Sequence, residues 1–218
     1  MYTLTEAEFR KEAEPMLKRV FVDYDFTNQP FSSAITERRI VYPCGGSFDE
    51  AIPVKVLVSA ATEVGDEGCY ITSLWEDEGA PRHCYVSLSE LLVGYGDTTG
   101  NDNQMIGINL GMDIYELDSV IYSAQGRWGI MMCHEYCGLL GGSPDFMAMI
   151  ESGVPSFNMQ VYDFFERYRG FRESGIEPTL GWLPPLLSHI YGQEVAKVML
   201  AKSHLGCSLY KSKQNRDA

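Results

Sequence analysis

The chain has 218 residues, 45% of them hydrophobic and 12% aromatic, and a formal net charge of −13. A chain of this length buries enough surface to need no disulfide staples, and its aromatic content argues against disorder over most of it. No apolar run approaches the ~18 residues of a membrane span, and the opening stretch MYTLTEAEFRKEAEPMLKRV carries four Glu and no apolar h-region, unlike a secretory signal.

Thr5 to Val20 reads as a helix, because Phe9, Ala13, Met16 and Val20 form one apolar stripe; Pro15 is a point where it kinks. Asp23 to Ser33 has no period and reads as an extended arm or loop. RRIVYP (38–43) is a short strand stopped by Pro43, and CGGSFDEAIP is a loop. VKVLVSA (54–60), CYITSLW (69–75) and HCYVSL (83–88) are rich in β-branched and aromatic residues and predict three strands, the first two joined as a hairpin by EVGDEG. SELLVGY predicts a short helix capped by Ser89, and GDTTGNDN (96–103) a polar loop. QMIGINL and LDSVIYSA are strand candidates. VIYSAQGRWGIMMC is the clearest hairpin, its turn at Ala124–Arg127 supplied with a glycine, Gly126.

Ser143-Pro144-Asp145 starts a helix whose buried face is Phe146, Met149 and Ile150. A second helix follows from Ser156, with Val161, Phe164, Phe165, Tyr168 and Phe171 at helical spacing. Trp182 to Leu205 is helical again, interrupted at Pro184-Pro185 and at Gly192, and KSKQNRDA is a polar tail. The order predicts one α+β domain over 1–218: an antiparallel sheet with an N-terminal helix and a C-terminal group of helices packed on it. Residues 21–142 are read as mostly strands, 143–205 as mostly helices and 206–218 as the tail.

The charge is unevenly placed. Residues 21–120 carry 17 acids and four bases, so the whole excess of −13 sits there. Such a field repels nucleic acid and anionic membrane and favours a basic protein surface. The blander consequence is solubility. Six cysteines spread along a chain of this size fit reduced thiols in the cytoplasm.

The stretch CHEYC gathers Cys133, His134, Glu135 and Cys137. On a strand these side chains alternate in direction, and the second ligand pair of a structural zinc site is missing. A nucleophilic cysteine needs a spatially placed base and an orienting group that adjacent residues do not supply. The favoured reading is packing by two small, soft thiols, with no metal and no cofactor. PCGGSF (43–48) lacks the context of a nucleophile elbow, and Asp97, Asn101, Asp102 and Asn103 lack the ligand order of an EF-hand. The remaining candidate is a surface. Asp66 and Glu67, with Glu76, Asp77 and Glu78, are expected in turns as an acidic cluster, and Trp75 beside them offers an aromatic anchor. The competing reading places Trp75 in the core and the acids on solvated turns.

GRWGIMMCHEYCGLLGGSPDFMAMI (126–150) resembles a segment of small bacterial cytoplasmic proteins, some of them immunity proteins of secreted or contact-dependent toxins. The shared features are a Trp-Gly hairpin strand, a strand ending in Leu-Gly-Gly, and a Ser-capped helix with Phe. They span about 25 residues and are structural. Such families bind a toxin through variable surface, so the resemblance implies a partner class and carries over no residue. The expected function is a non-enzymatic acidic inhibitor that occludes a basic surface, such as a cognate toxin's active-site groove. Two alternatives stand beside it. One is an enzyme or small-molecule binder with a pocket between sheet and C-terminal helices, using Cys133, His134 or Glu135. The other is a subunit of a larger assembly.

Overall fold

The computed structural model describes residues 1–44, 48–74, 83–96, 118–133, 136–176 and 178–205, with backbone only at 95–96. Among them seven strands form one antiparallel sheet: β1 (Tyr2–Thr3), β2 (Glu37–Val41), β3 (Gly68–Ser73), β4 (His83–Ser87), β5 (Ser119–Ser123), β6 (Trp128–Cys133) and β7 (Cys137–Gly142). Their order is β1-β4-β3-β5-β6-β7-β2. The fold is α+β, as the element order predicts.

The N-terminal helix runs from α1 (Glu6–Glu8) through a π-helical turn, Phe9–Ala13, into α2 (Glu14–Val20). Thr5 and Glu8 close a capping box at its start. The wider turn, in which the Glu14 N–H donates to the Phe9 carbonyl, accommodates Pro15, whose ring has no N–H and crowds a regular helix. It also turns the stripe slightly: Leu17 is buried where the spacing pointed to Met16.

Residues 54–60 correct the strand prediction. They open α3 (Val54–Glu63), which starts after Pro53 and buries Val54, Leu57, Ala60 and Ala61. A short β-branched run does not separate strand from buried helix. Helical spacing and the alanines that follow decide it. EVGDEG therefore joins a helix to β3 and makes no hairpin. In α4 (Leu88–Gly96) the cap is Ser87, two residues before the expected Ser89. The Glu90 N–H donates to Ser87 Oγ at 3.3 Å, and Glu90 Oε2 accepts from the Ser87 N–H at 3.0 Å.

The turn at Gly126, the Ser143 cap and the aromatic helix after Ser156 stand where the sequence places them. Gly126 has φ +70° in the β5–β6 turn, where a side chain is strained. Ser143 caps α5 (Pro144–Gly153) by accepting from the Phe146 N–H. In that helix Met147, rather than Met149, joins Phe146 and Ile150 in the core. A 3-10 turn, Phe157–Met159, leads into α6 (Gln160–Glu173). Then come α7 (Leu183–Tyr191) and α8 (Gln193–Ser203), separated at Gly192. Pro184 and Pro185 sit in the first turn of α7, where proline starts a helix instead of breaking it. QMIGINL and residues 206–218 lie outside the described residues.

Helices cover both faces of the sheet. On one, the N-terminal helix and α6–α8 pack Leu17, Phe164, Phe165, Leu183 and Leu187 against Ile40, Val120, Met131 and Leu139. On the other, α3, α4 and α5 pack Leu57, Leu91, Phe146 and Ile150 against Ile71, Ile121, Trp128 and Ile130. This second layer explains why β5, β6 and β7 read as continuous apolar runs.

The edge strand β2 is sealed by side chains. The Ile40 N–H donates to Tyr191 Oη at 3.0 Å, and the Tyr42 N–H to Gln160 Oε1 at 3.1 Å. Burial raises the Tyr191 phenol to about 12, so it stays protonated. Tyr191→Phe leaves the Ile40 donor unmet and is expected to cost about 1–3 kcal/mol in urea unfolding.

Next to this edge, His189 accepts from the Phe31 N–H at Nε2, 3.2 Å, while Arg38 Nη1 stands 3.2 Å from its Nδ1. Burial, then the Arg38 charge, pull its pKa down from 6.5 to about 4. The folded state thus prefers neutral imidazole. Between pH 4 and 6.5 the unfolded chain binds the proton, so stability is fully present above about 6.5 and falls as pH drops toward 4. His189→Gln is expected to flatten that limb of a Tm-against-pH curve.

Candidate functional site

The cross-strand register builds a tyrosine ladder. Tyr2 pairs with Tyr85, Tyr85 with Tyr70, and Tyr70 with Tyr122, across β1, β4, β3 and β5. Their ring centroids are 5.2, 5.5 and 5.5 Å apart in turn. Residues directly opposite in antiparallel strands share a face, so one tyrosine per strand in register suffices. The ladder runs from core to solvent: Tyr122 is fully buried, Tyr70 buried, Tyr85 half-buried, and Tyr2 51% exposed. Gly68 makes room for it, because a Cβ there meets the Tyr85 hydroxyl.

Carboxylates surround the solvent end. Glu67, just before β3, is exposed and makes no ion pair among the described residues. Glu90 sits in the first turn of α4, held down to about 2 by the amino-terminal ammonium of Met1 and by Ser87. Burial raises the Tyr85 hydroxyl, followed by Tyr2, Cys69 and the charges of Glu67 and Glu90. Tyr70 is raised by burial, then by Tyr2 and by Glu12, which pairs with Lys11 at 3.8 Å. Aromatic faces beside carboxylates attract a Lys or Arg side chain by cation–π and direct charge interaction together.

A second row lies deeper. Thr72 Oγ1 is 3.1 Å from His83 Nδ1 and 3.3 Å from Tyr122 Oη. Phe9 stacks on the His83 ring at 3.6 Å, and Glu6 is 3.9 Å from its Nε2. Thr72 and His83 are both buried beneath the N-terminal helix, so this hydroxyl–imidazole pair secures the helix to the sheet.

The acidic cluster expected from sequence is only partly realised. Asp66 is 3% exposed and is no docking charge. Its carboxylate accepts from Ser123 Oγ at 2.8 Å, Trp128 Nε1 at 2.9 Å and the Gln125 N–H at 3.2 Å. Burial raises its pKa while these donors oppose the rise. Glu67 is where a surface charge was expected. Trp75, Glu76, Asp77 and Glu78 lie outside the described residues. Glu67 precedes β3 and Leu74 follows it.

Cys133 closes β6 and Cys137 opens β7 as its direct partner, both buried, with Tyr136 at φ +61° between them. His134 and Glu135 lie outside the described residues. Among the described residues no group of three or more His, Cys, Asp or Glu is placed to hold a metal ion. The Cys44 thiol is pushed up by burial. Phe164, Phe165, Tyr168, Leu183 and Leu186 of the C-terminal helices are buried in the core on this face of the sheet. No helix among the described residues is long and apolar enough to cross a membrane.

The fold is α+β, and exposed tyrosine stands beside carboxylates where the ladder meets solvent. Compared with models of known protein families, with curated proteins and with solved structures, the chain matches none.

Proposed function

We propose that this protein is a non-enzymatic binding protein that occludes a basic surface on a protein partner. Its docking face is the solvent end of the tyrosine ladder, with Tyr2 and Tyr85 as anchors and Glu67, Glu90 and Glu12 as the charged rim. The observation that carries the reading is that Tyr2 and half-buried Tyr85, at the solvent end of the ladder, have the carboxylates Glu67, Glu90 and Glu12 near it. The excess of acids over bases in residues 21–120 supports it, since a field of that sign speeds encounter with a basic protein.

The partner class we propose is a toxin, which makes the protein an immunity-type inhibitor acting in the bacterial cytoplasm. The resemblance of residues 126–150 supports this class. Those residues are the β6–β7 hairpin and α5, a buried framework, so contacts to the partner rest on the charged face.

The test is affinity capture from cells co-expressing the chain with the product of its neighbouring upstream gene. The captured protein is expected to be basic. Tyr2→Ala should weaken binding by ~2 kcal/mol, about thirtyfold in Kd, if Tyr2 is an anchor. An acidic captured partner, or unchanged affinity in Tyr2→Ala, contradicts the proposal.

A further inference from the structure

The two cysteines of CHEYC are placed for a reaction of their own. They are cross-strand partners at the last position of the β6–β7 ladder, and their sulfurs are 3.5 Å apart. Neither is in a disulfide. Among the described residues this is the one cysteine pair with its sulfurs in contact. By contrast, Cys44 Sγ turns to the Val41 carbonyl at 3.9 Å. Tyr136, next to Cys137 in sequence, ties the pair to its surroundings by two backbone hydrogen bonds. The Tyr136 N–H donates to the Cys133 carbonyl at 3.2 Å, and the Tyr136 carbonyl accepts from the Cys44 N–H at 2.9 Å.

We propose that Cys133 and Cys137 are a reversible redox site that closes to a disulfide across the hairpin. The oxidant is a small disulfide such as oxidised glutathione. One cysteine, as thiolate, attacks a glutathione sulfur and releases one glutathione thiolate. The second, as thiolate, attacks the protein sulfur of the mixed disulfide and releases the other. Two protein thiols lose two protons and two electrons, and glutathione disulfide leaves as two thiols. The sulfurs need to close from 3.5 Å to about 2.05 Å, a small side-chain movement. Burial of both sulfurs makes the first attack depend on local opening of the last ladder pair, Cys133 with Cys137, beside Tyr136, which is 43% exposed. The same burial leaves no room for a lasting glutathione adduct and drives the second step. The bond locks the end of the sheet that carries Arg167 of α6 over the Tyr136 ring, 4.6 Å from its centroid.

The experiment equilibrates the full chain in glutathione redox buffers without oxygen, quenches it in acid, alkylates free thiols and maps tryptic peptides by mass. Residues 128–167 contain no Lys or Arg before Arg167, so both sulfurs fall in one peptide. As the buffer becomes oxidising, that peptide is expected to lose both alkylation sites and two hydrogens, and dithiothreitol should restore them. The equilibrium constant for closure should fall about tenfold or more, ~30 mV, in guanidinium chloride, where the strand register is gone. Cys137→Ala should hold a single glutathione adduct on Cys133 or none, and never the two-hydrogen loss. The proposal is overturned if both sulfurs of the native protein stay alkylated under oxidising buffer. A stable adduct on one of them, or closure that is equally favourable in denaturant, also overturns it.

Discussion

Asp66→Ala is expected to remove about 3–5 kcal/mol of stability, because each buried donor left unmet costs about 1–3 kcal/mol. One carboxylate joins three parts of the chain: the loop after α3, the β5–β6 turn through Ser123 and Gln125, and the indole of Trp128. Trp128 is fully buried and stacks on Phe146 of α5, 5.3 Å between centroids and 3° from parallel. Loss of Asp66 therefore orphans an indole N–H in the middle of one core. Asp66→Asn keeps the shape and one accepting oxygen, and should cost less than the alanine variant. Urea unfolding of both variants checks the order. A loss below about 1 kcal/mol for alanine would mean that water replaces the carboxylate at no great cost.

Phe164→Ala should be as damaging on the opposite face, at about 3–5 kcal/mol. Its ring is fully buried and meets Tyr42, Phe165, Tyr168 and Trp182, with centroids 5.0 to 6.4 Å away. It connects α6 to the end of β2 and to the residue that precedes α7. The surrounding rings are too large to collapse into the gap, which places the cost at the upper end of the range. A loss near 0.5 kcal/mol would mean that α6 does not pack on the sheet as described.

Long-period signals in the sequence were legible. Thr5 to Val20, the glycine turn at Gly126, the Ser143 cap and the aromatic face of α6 each follow from local physics, and each is present. What misled was a short apolar run. VKVLVSA has the composition of a strand, yet Val54 and Leu57, with Ala61 just after the run, stand at helical spacing, and burial against α5 selects the helix. The site was less legible for a different reason. Asp66 and Glu67 are neighbours of the same charge, and only the register of β3 against β4 and β5 tells which one turns inward. The tyrosine ladder depends on pairing between residues far apart in sequence, Tyr2 with Tyr85 and Tyr70 with Tyr122, which no local pattern reveals. Cys133 and Cys137 are four apart, but their contact needs the hairpin between them.

The central claim is that the ladder end with Glu67 receives a basic partner by charge and aromatic contact. The most direct measurement is the association rate of the captured partner at 0.01 M and 0.1 M salt, for the native chain and for Glu67→Gln with Glu12→Gln. The Debye length shrinks from roughly 30 Å to roughly 10 Å between these conditions. The native on-rate should fall several-fold as salt rises, and the double variant should start lower and respond less, with its off-rate nearly unchanged. An on-rate indifferent to salt, or equal in the native chain and the variant, contradicts the account and moves the docking surface elsewhere on the molecule.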